Sequence, residues 1–192
     1  MSNPLYKVDP KLLHPFESYV YRTLNDYLHY LKPYNITPNH LTTCNIISSI
    51  ISAYYLYFNN KILSIIFLIL SYIFDCADGL YARKYKMVSK FGDYYDHISD
   101  LTQYLLYTYI LFTKYKFINY KVLIIIILIQ LVLMFSYTGC VENIYSPKSN
   151  DTLSFSKQLC FFNNYKEGAN KLKYFGPPNG LFLVCFIILY IH

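Results

Sequence analysis

Five apolar runs separated by short polar connectors constrain this chain more than any other feature: Leu41 to Phe58, Ile62 to Phe74, Leu101 to Phe112, Val122 to Phe135 and Leu181 to Ile191. In hydrocarbon no water satisfies the peptide groups, so runs of this kind must pair their own backbone as helices. Composition points the same way, with 55% hydrophobic, 20% aromatic and only 15% charged residues in 192, well to the apolar side of soluble domains. The expected fold class is all-α: a multi-pass transmembrane helical bundle of five to six spans forming one domain over residues 1–192. Residues 37–192 supply the transmembrane core, and residues 1–36 an amphipathic helix lying in the interface.

The elements can be placed along the chain. Over residues 12–31, Leu13, Phe16, Val20, Leu24, Tyr27, Leu28 and Leu31 share one helical stripe, while Glu17, Arg22, Asp26 and His29 face elsewhere. Pro33 ends this helix. Thr37-Pro38-Asn39 starts the next, with proline tolerated in a first turn. Asn59-Asn60-Lys61 marks a tight turn. A basic connector from Arg83 to Lys90 leads to a helix beginning near Gly92, and Gln130 alone interrupts the purest apolar run. Residues 139–178 are mixed and polar up to Gly176-Pro177-Pro178, and a sixth span either lies within 153–175 or is absent.

The net charge of +6 does not indicate nucleic acid, because the basic residues cluster between apolar runs. All 17 Lys and Arg except Lys61, Lys114, Lys116 and Lys121 fall on one side of the expected topology. That side, where the second run meets Asp75 and Asp78, is expected to face the cytosol. The five cysteines follow neither a metal-binding spacing nor an even disulfide framework, so reduced thiols are expected. Asp9, Glu17 and Asp26 near the N-terminus argue against a cleaved signal peptide.

Of the 11 acidic residues, five lie between Asp75 and Asp100, in the window joining two apolar helices. Two carboxylates about 5 Å apart repel by roughly 3 kcal/mol at an effective dielectric near 20. A cluster there therefore holds protons or binds cations. Asp75 and Asp78 are spaced i,i+3, and Asp96 and Asp100 i,i+4, so each pair occupies one helical face. Four converging carboxylates without His or Cys at ligand spacing suit Mg²⁺ or Mn²⁺. His97 lies around the helix from Asp96 and reads as a packing or interfacial residue. Asp93 reads as a helix-start residue favoured by the local dipole. Gly79, Ala82 and Gly92 are small on the same faces, leaving room for a nucleotide or for tight helix packing. Arg83 offers a planar fork to a pyrophosphate.

The pattern Asp75-x2-Asp78-Gly79-x2-Ala82-Arg83-x8-Gly92-x3-Asp96-x3-Asp100 resembles the signature of the CDP-alcohol phosphotransferase (CDP-alcohol phosphatidyltransferase) family at every fixed position. At a usage of about 7% per residue type, such a match arises by chance roughly once in 10⁹ starts. Pro38-Asn39-His40-Leu41-Thr42 is similar to what often precedes the family's first helix. The resemblance implies a six-helix core and two divalent ions, Mg²⁺ or Mn²⁺, held by Asp75, Asp78 and Asp96. It makes Asp100 the general base, with a share in metal binding. It also implies a CDP site lined by Gly79, Ala82, Arg83 and Gly92, with Asn39 and Thr42 as further candidates.

On that resemblance, the chain is expected to move a phospho-alcohol group from a CDP-linked donor to a hydroxyl acceptor, lipid or small alcohol, and to release CMP. Tyr6-Lys7-Val8-Asp9-Pro10-Lys11-Leu12-Leu13 and Tyr137-Thr138-Gly139 loosely resemble the choline and ethanolamine branch, which acts on diacylglycerol. The alternative is a CDP-diacylglycerol transferase of the phosphatidylglycerophosphate or phosphatidylinositol synthase type. The fourth and last runs carry no Arg or Lys for a phosphorylated or polyol acceptor. A membrane prenyltransferase needs a second acidic motif, and after Asp100 only Glu142, Asp151 and Glu167 remain. A cation channel or transporter has no use for Arg83. Membrane lipids are the expected surroundings, a homodimer is compatible with the sequence, and a family member without activity also remains open.

Overall fold

The computed structural model describes residues 8–116, 120–145 and 154–190. Tyr6, Lys7, Lys148, Asp151 and Ile191, each part of a reading above, lie outside the described residues. Among the described residues every regular element is helical: α1 (Pro15–Tyr27), α2 (Pro38–Tyr57), α3 (Lys61–Lys84), α4 (Lys90–Thr113), α5 (Lys121–Tyr145), α6 (Tyr165–Leu172) and α7 (Pro177–Tyr190). Among the described residues three stretches are both long and apolar enough to cross a membrane, Lys61–Lys84, Lys121–Tyr145 and Tyr165–Tyr190. Helices α2 and α4 contain 20 and 24 residues, about 30 and 36 Å. They have the length to span, but each carries a row of polar side chains along its inner face.

Contacts divide the chain into two compact units, the first being Val20–Tyr120 together with the residues from Val184 onward. Here α2 packs along both α3 and α4. Ser48, Ser52 and Ala53 are buried on α2, small side chains that let helix backbones approach closely in lipid. The α2–α3 turn forms as its asparagines suggest. Asn59 adopts φ 64°, and the Asn60 side chain accepts from Leu63 N at 3.2 Å. Thr37 N donates to His40 Nδ1 at 3.1 Å at the start of α2, and Ser89 Oγ accepts from Gly92 N at 3.0 Å at the start of α4. Lys84 Nζ donates to Asn25 O at 2.6 Å, tying the end of α3 to the last turn of α1.

The second unit comprises the residues up to Tyr19 and Lys121–Leu183. Helix α5 runs ten residues beyond the apolar stretch, ending at Tyr145. Gln130, isolated in that stretch, is satisfied on both sides. Its Nε2 donates to Phe175 O at 2.9 Å, and its Oε1 accepts from Asn179 Nδ2 at 2.8 Å. Tyr137 donates to Leu12 O at 3.0 Å.

Three expectations are corrected, and one question the sequence left open, the sixth span, is answered for the described residues. The first helix is α1 with a 3-10 continuation, Leu28–Tyr34, that passes through Pro33 and ends at Asn35 with φ 52°. Glu17 is buried at 8% exposure rather than facing outward, while Tyr27 is 63% exposed, because Glu17 sits beside Tyr137. No sixth span occupies the described part of residues 153–175. That segment holds a 3-10 turn, Ser154–Leu159, the eight-residue α6 and a further turn at Lys173–Phe175. Gly176-Pro177-Pro178 then breaks the run, since proline cannot continue the preceding backbone ladder. Finally, Cys140 and Cys160 form a disulfide with Cα atoms 4.9 Å apart, leaving Cys44, Cys76 and Cys185 as free thiols.

Of the glycines in this unit, Gly139 is the most closely approached. A Cβ there would lie 2.1 Å from Ser156 O and 3.1 Å from Cys160 N, both backbone atoms. Backbone cannot swing aside as a side chain can, so Gly139→Ala overpacks the joint by about 3 kcal/mol. The melting temperature of the detergent-purified protein is expected to fall by roughly 6–12 °C. Gly180 has nothing within 4 Å, and Gly180→Ala is expected to melt at or slightly above the wild-type temperature.

Candidate active site

The acidic window folds as the end of α3 and the beginning of α4, against the beginning of α2. Helical spacing alone places Asp75, Asp78 and Ala82 on one face of α3, and Gly92, Asp96 and Asp100 on one face of α4. The tertiary structure turns these faces toward each other. Asp78 has Asp96 and Asp100 as charged neighbours, and the side chains of Asp75 and Asp96 are within hydrogen-bonding reach of each other. Two carboxyls that close coexist only with a proton or a cation between them.

Each aspartate has a distinct setting. Asp78 is 5% exposed, and its Oδ2 accepts from Thr42 Oγ1 at 2.5 Å. Asp75 is half-buried, and its Oδ1 accepts from Asn45 Nδ2 at 3.2 Å. Asp96 is half-buried, yet its Oδ1 is inaccessible and has no hydrogen-bond partner. Asp100 is exposed.

The smaller residues also fall around this cluster. The Arg83 guanidinium lies over Gly79, where a Cβ would meet Nη1 at 3.1 Å, and it is an electrostatic neighbour of Asp96. Gly92 admits the Asn39 side chain, whose Oδ1 would lie 3.4 Å from a Cβ. Thr43 Oγ1 is 3.0 Å from the Tyr95 hydroxyl. Ala82 is half-buried one turn beyond Asp78. His97 Nε2 lies 3.8 Å from Asp93 Oδ1, and His97 is also an electrostatic neighbour of Asp96. All the residues singled out from the sequence thus lie at one end of the α2–α3–α4 trio.

A hard cation fits the donor chemistry here. The groups are carboxylate oxygens, and a buried Asp96 oxygen without a partner is the kind of atom that metal coordination satisfies. As they stand, no three His, Cys, Asp or Glu among the described residues close tightly enough to hold an ion. Binding therefore requires these side chains to draw further together.

The row of polar residues beneath the aspartates escaped the sequence reading. Asn45, Ser49, Ser71 and Gln103 are joined by hydrogen bonds on the inner faces of the three helices. Their signal is the alternating spacing of three and four that Thr42, Asn45, Ser49 and Ser52 follow on α2.

Residues 35–191 match the family described as CDP-alcohol phosphatidyltransferase. The chain belongs to the CDP-alcohol phosphatidyltransferase family. Its members are transferases that use a CDP-linked donor and an alcohol or lipid acceptor. The chain is similar to the archaetidylinositol phosphate synthase of Pyrococcus horikoshii, with 34% identity over 96 residues. That match covers 50% of this chain and 47% of the relative, so the chain spans about half the length of the protein it matches. No solved structure matches the chain.

Proposed function

We propose that this membrane protein is a metal-dependent CDP-alcohol phosphotransferase whose reaction centre is the α3–α4 aspartate cluster. The observation that carries the reading is the convergence of Asp75, Asp78, Asp96 and Asp100, with Arg83 beside them. Asp75, Asp78 and Asp96 hold the divalent ions, Mg²⁺ or Mn²⁺, with Asp100 contributing at the edge. When bound, these ions supply charge neutralisation for the pyrophosphate and for the departing CMP. Arg83 pairs with the same pyrophosphate, and Gly79, Ala82 and Gly92 leave room for the nucleotide, with Asn39 and Thr42 at its margin.

Asp100, the exposed member of the cluster, takes the proton of the acceptor hydroxyl. The hydroxyl oxygen forms a bond to the phosphorus that carries the donor's alcohol. The bond from that phosphorus to the CMP oxygen breaks, and CMP leaves with the electron pair. The excess of Lys and Arg on this side supports the reading that this end of the bundle faces the cytosol.

For the donor, similarity to an archaetidylinositol phosphate synthase favours the alternative reading of the sequence. In it a CDP-linked lipid donates to a polyol-type acceptor. The branch using CDP-choline or CDP-ethanolamine and diacylglycerol is supported only by the loose N-terminal and Tyr137-Thr138-Gly139 likeness. The test is CMP release from the full chain reconstituted in lipid. CDP-diacylglycerol with glycerol phosphate, inositol or inositol phosphate is offered in parallel with CDP-choline and CDP-ethanolamine with diacylglycerol. Release is expected from a CDP-lipid arm, at least about 100-fold faster with Mg²⁺ or Mn²⁺ than with chelator. Turnover unchanged by chelation removes the metal from the reading, and release from the CDP-choline arm alone reverses the choice of donor.

A further inference from the structure

Asn45 lies on α2 one turn beyond Thr42 and is 1% exposed. An amide in an otherwise apolar run needs partners for both of its ends, and the structure supplies them from both neighbouring helices. Its Nδ2 donates to Asp75 Oδ1 at 3.2 Å. Its Oδ1 accepts from Ser71 Oγ at 2.5 Å and from Ser49 Oγ at 3.4 Å. The two serine hydroxyls are 2.7 Å apart and also reach Gln103 Oε1 on α4, at 3.0 and 3.2 Å.

The carboxylate gives this tier a direction. An ionised carboxylate only accepts hydrogen bonds, whereas a serine hydroxyl can donate or accept. The Asn45 amide therefore presents its N–H to Asp75 and its oxygen to the serine hydroxyls. The flipped amide would set an oxygen against a carboxylate. Asp75 is thereby held between Asn45 on one side and Asp96 on the other.

We infer that Asn45 is a positioning residue: acting through Asp75, it keeps the carboxylate on the side of α3 near Asp96, from which a small approach lets α3 and α4 share a divalent cation. This rests on the reading of Asp75 and Asp96 as ligands proposed above. A purely architectural role is the competing account, and the next tier of the same stripe isolates it. There Ser52 Oγ bonds Ser64 O at 2.5 Å and the Tyr107 hydroxyl, joining the same three helices without touching an aspartate.

The test is titration with Mn²⁺ alone, followed by the electron paramagnetic resonance signal of the free ion, on the full chain in detergent. Asn45→Leu keeps the side chain's bulk and removes the donor, and it is expected to weaken Mn²⁺ binding by about 10-fold. Ser52→Ala is expected to leave that affinity unchanged. In the CMP-release assay, Asn45→Leu should show a raised Mn²⁺ requirement with kcat recovering at saturating Mn²⁺, which a misfolded protein cannot do. Should Asn45→Leu fail to fold, Asn45→Ser carries the same expectation. Wild-type affinity in the Asn45 variant, or an equal loss in Ser52→Ala, overturns the inference and leaves the metal reading standing. A wild-type chain that does not bind Mn²⁺ overturns both.

Discussion

Asp100→Asn is expected to slow CMP release by about 10²–10⁴-fold, the usual contribution of a positioned general base. Donor binding should stay within a few-fold of the wild type. The substitution keeps the side chain's shape and its capacity to accept a hydrogen bond, but an amide cannot take up the proton of the acceptor hydroxyl. Position supports this division of labour. Asp78 is engaged by Thr42 and Asp75 by Asn45, whereas Asp100 is the exposed member of the cluster. Parallel measurements of CMP release and of CDP-donor binding read the two effects separately. A variant that turns over normally overturns the assignment of the base, and one that loses donor binding in proportion to rate makes Asp100 chiefly a ligand.

Asp78→Asn is expected to act in opposite directions on stability and function. Asp78 is buried among like charges, with Asp96 and Asp100 as its neighbours. Each such pair costs roughly 3 kcal/mol at about 5 Å when nothing intervenes. Without metal such a cluster persists only by taking up protons or bearing the repulsion; asparagine removes that cost and still offers Thr42 an oxygen. Without metal, the melting temperature should therefore rise by roughly 5 °C. With Mn²⁺ the wild type should gain stability by linkage, whereas the variant should gain little and should release CMP only at background rate. This is the trade between stability and activity expected where function requires strain. A variant that melts lower and still responds to Mn²⁺ removes Asp78 from the ligand set.

The parts legible in advance were those in which local chemistry and spacing suffice. Asn59-Asn60 turned the chain where expected, Thr37-Pro38 began α2, and the gap of 20 residues between Asp75 and Asp96 allowed two helices to face each other. Less legible were features that depend on a partner distant in sequence. Glu17 looked like a solvent-facing charge until the residues around Tyr137 came beside it. Cys140 and Cys160 had no recognisable spacing, because their pairing depends on how the chain returns after α5. The described part of the mixed stretch before Gly176 holds short helical pieces rather than a span of its own, a choice set by where Pro177 and Pro178 interrupt the chain.

The sequence by itself determined that the chain is helical, that its helices are apolar outside, and that four aspartates occupy two helical faces. Those properties follow from hydropathy and from the 3.6-residue period, both of which are local. Only the tertiary structure decided which faces meet. It put Asn45 under Asp75, Thr42 against Asp78 and Arg83 over Gly79, and it left Asp100 exposed. Such choices come from the packing of α2 against α3 and α4, where buried polar groups must find partners on another helix. No periodicity within one helix specifies that match.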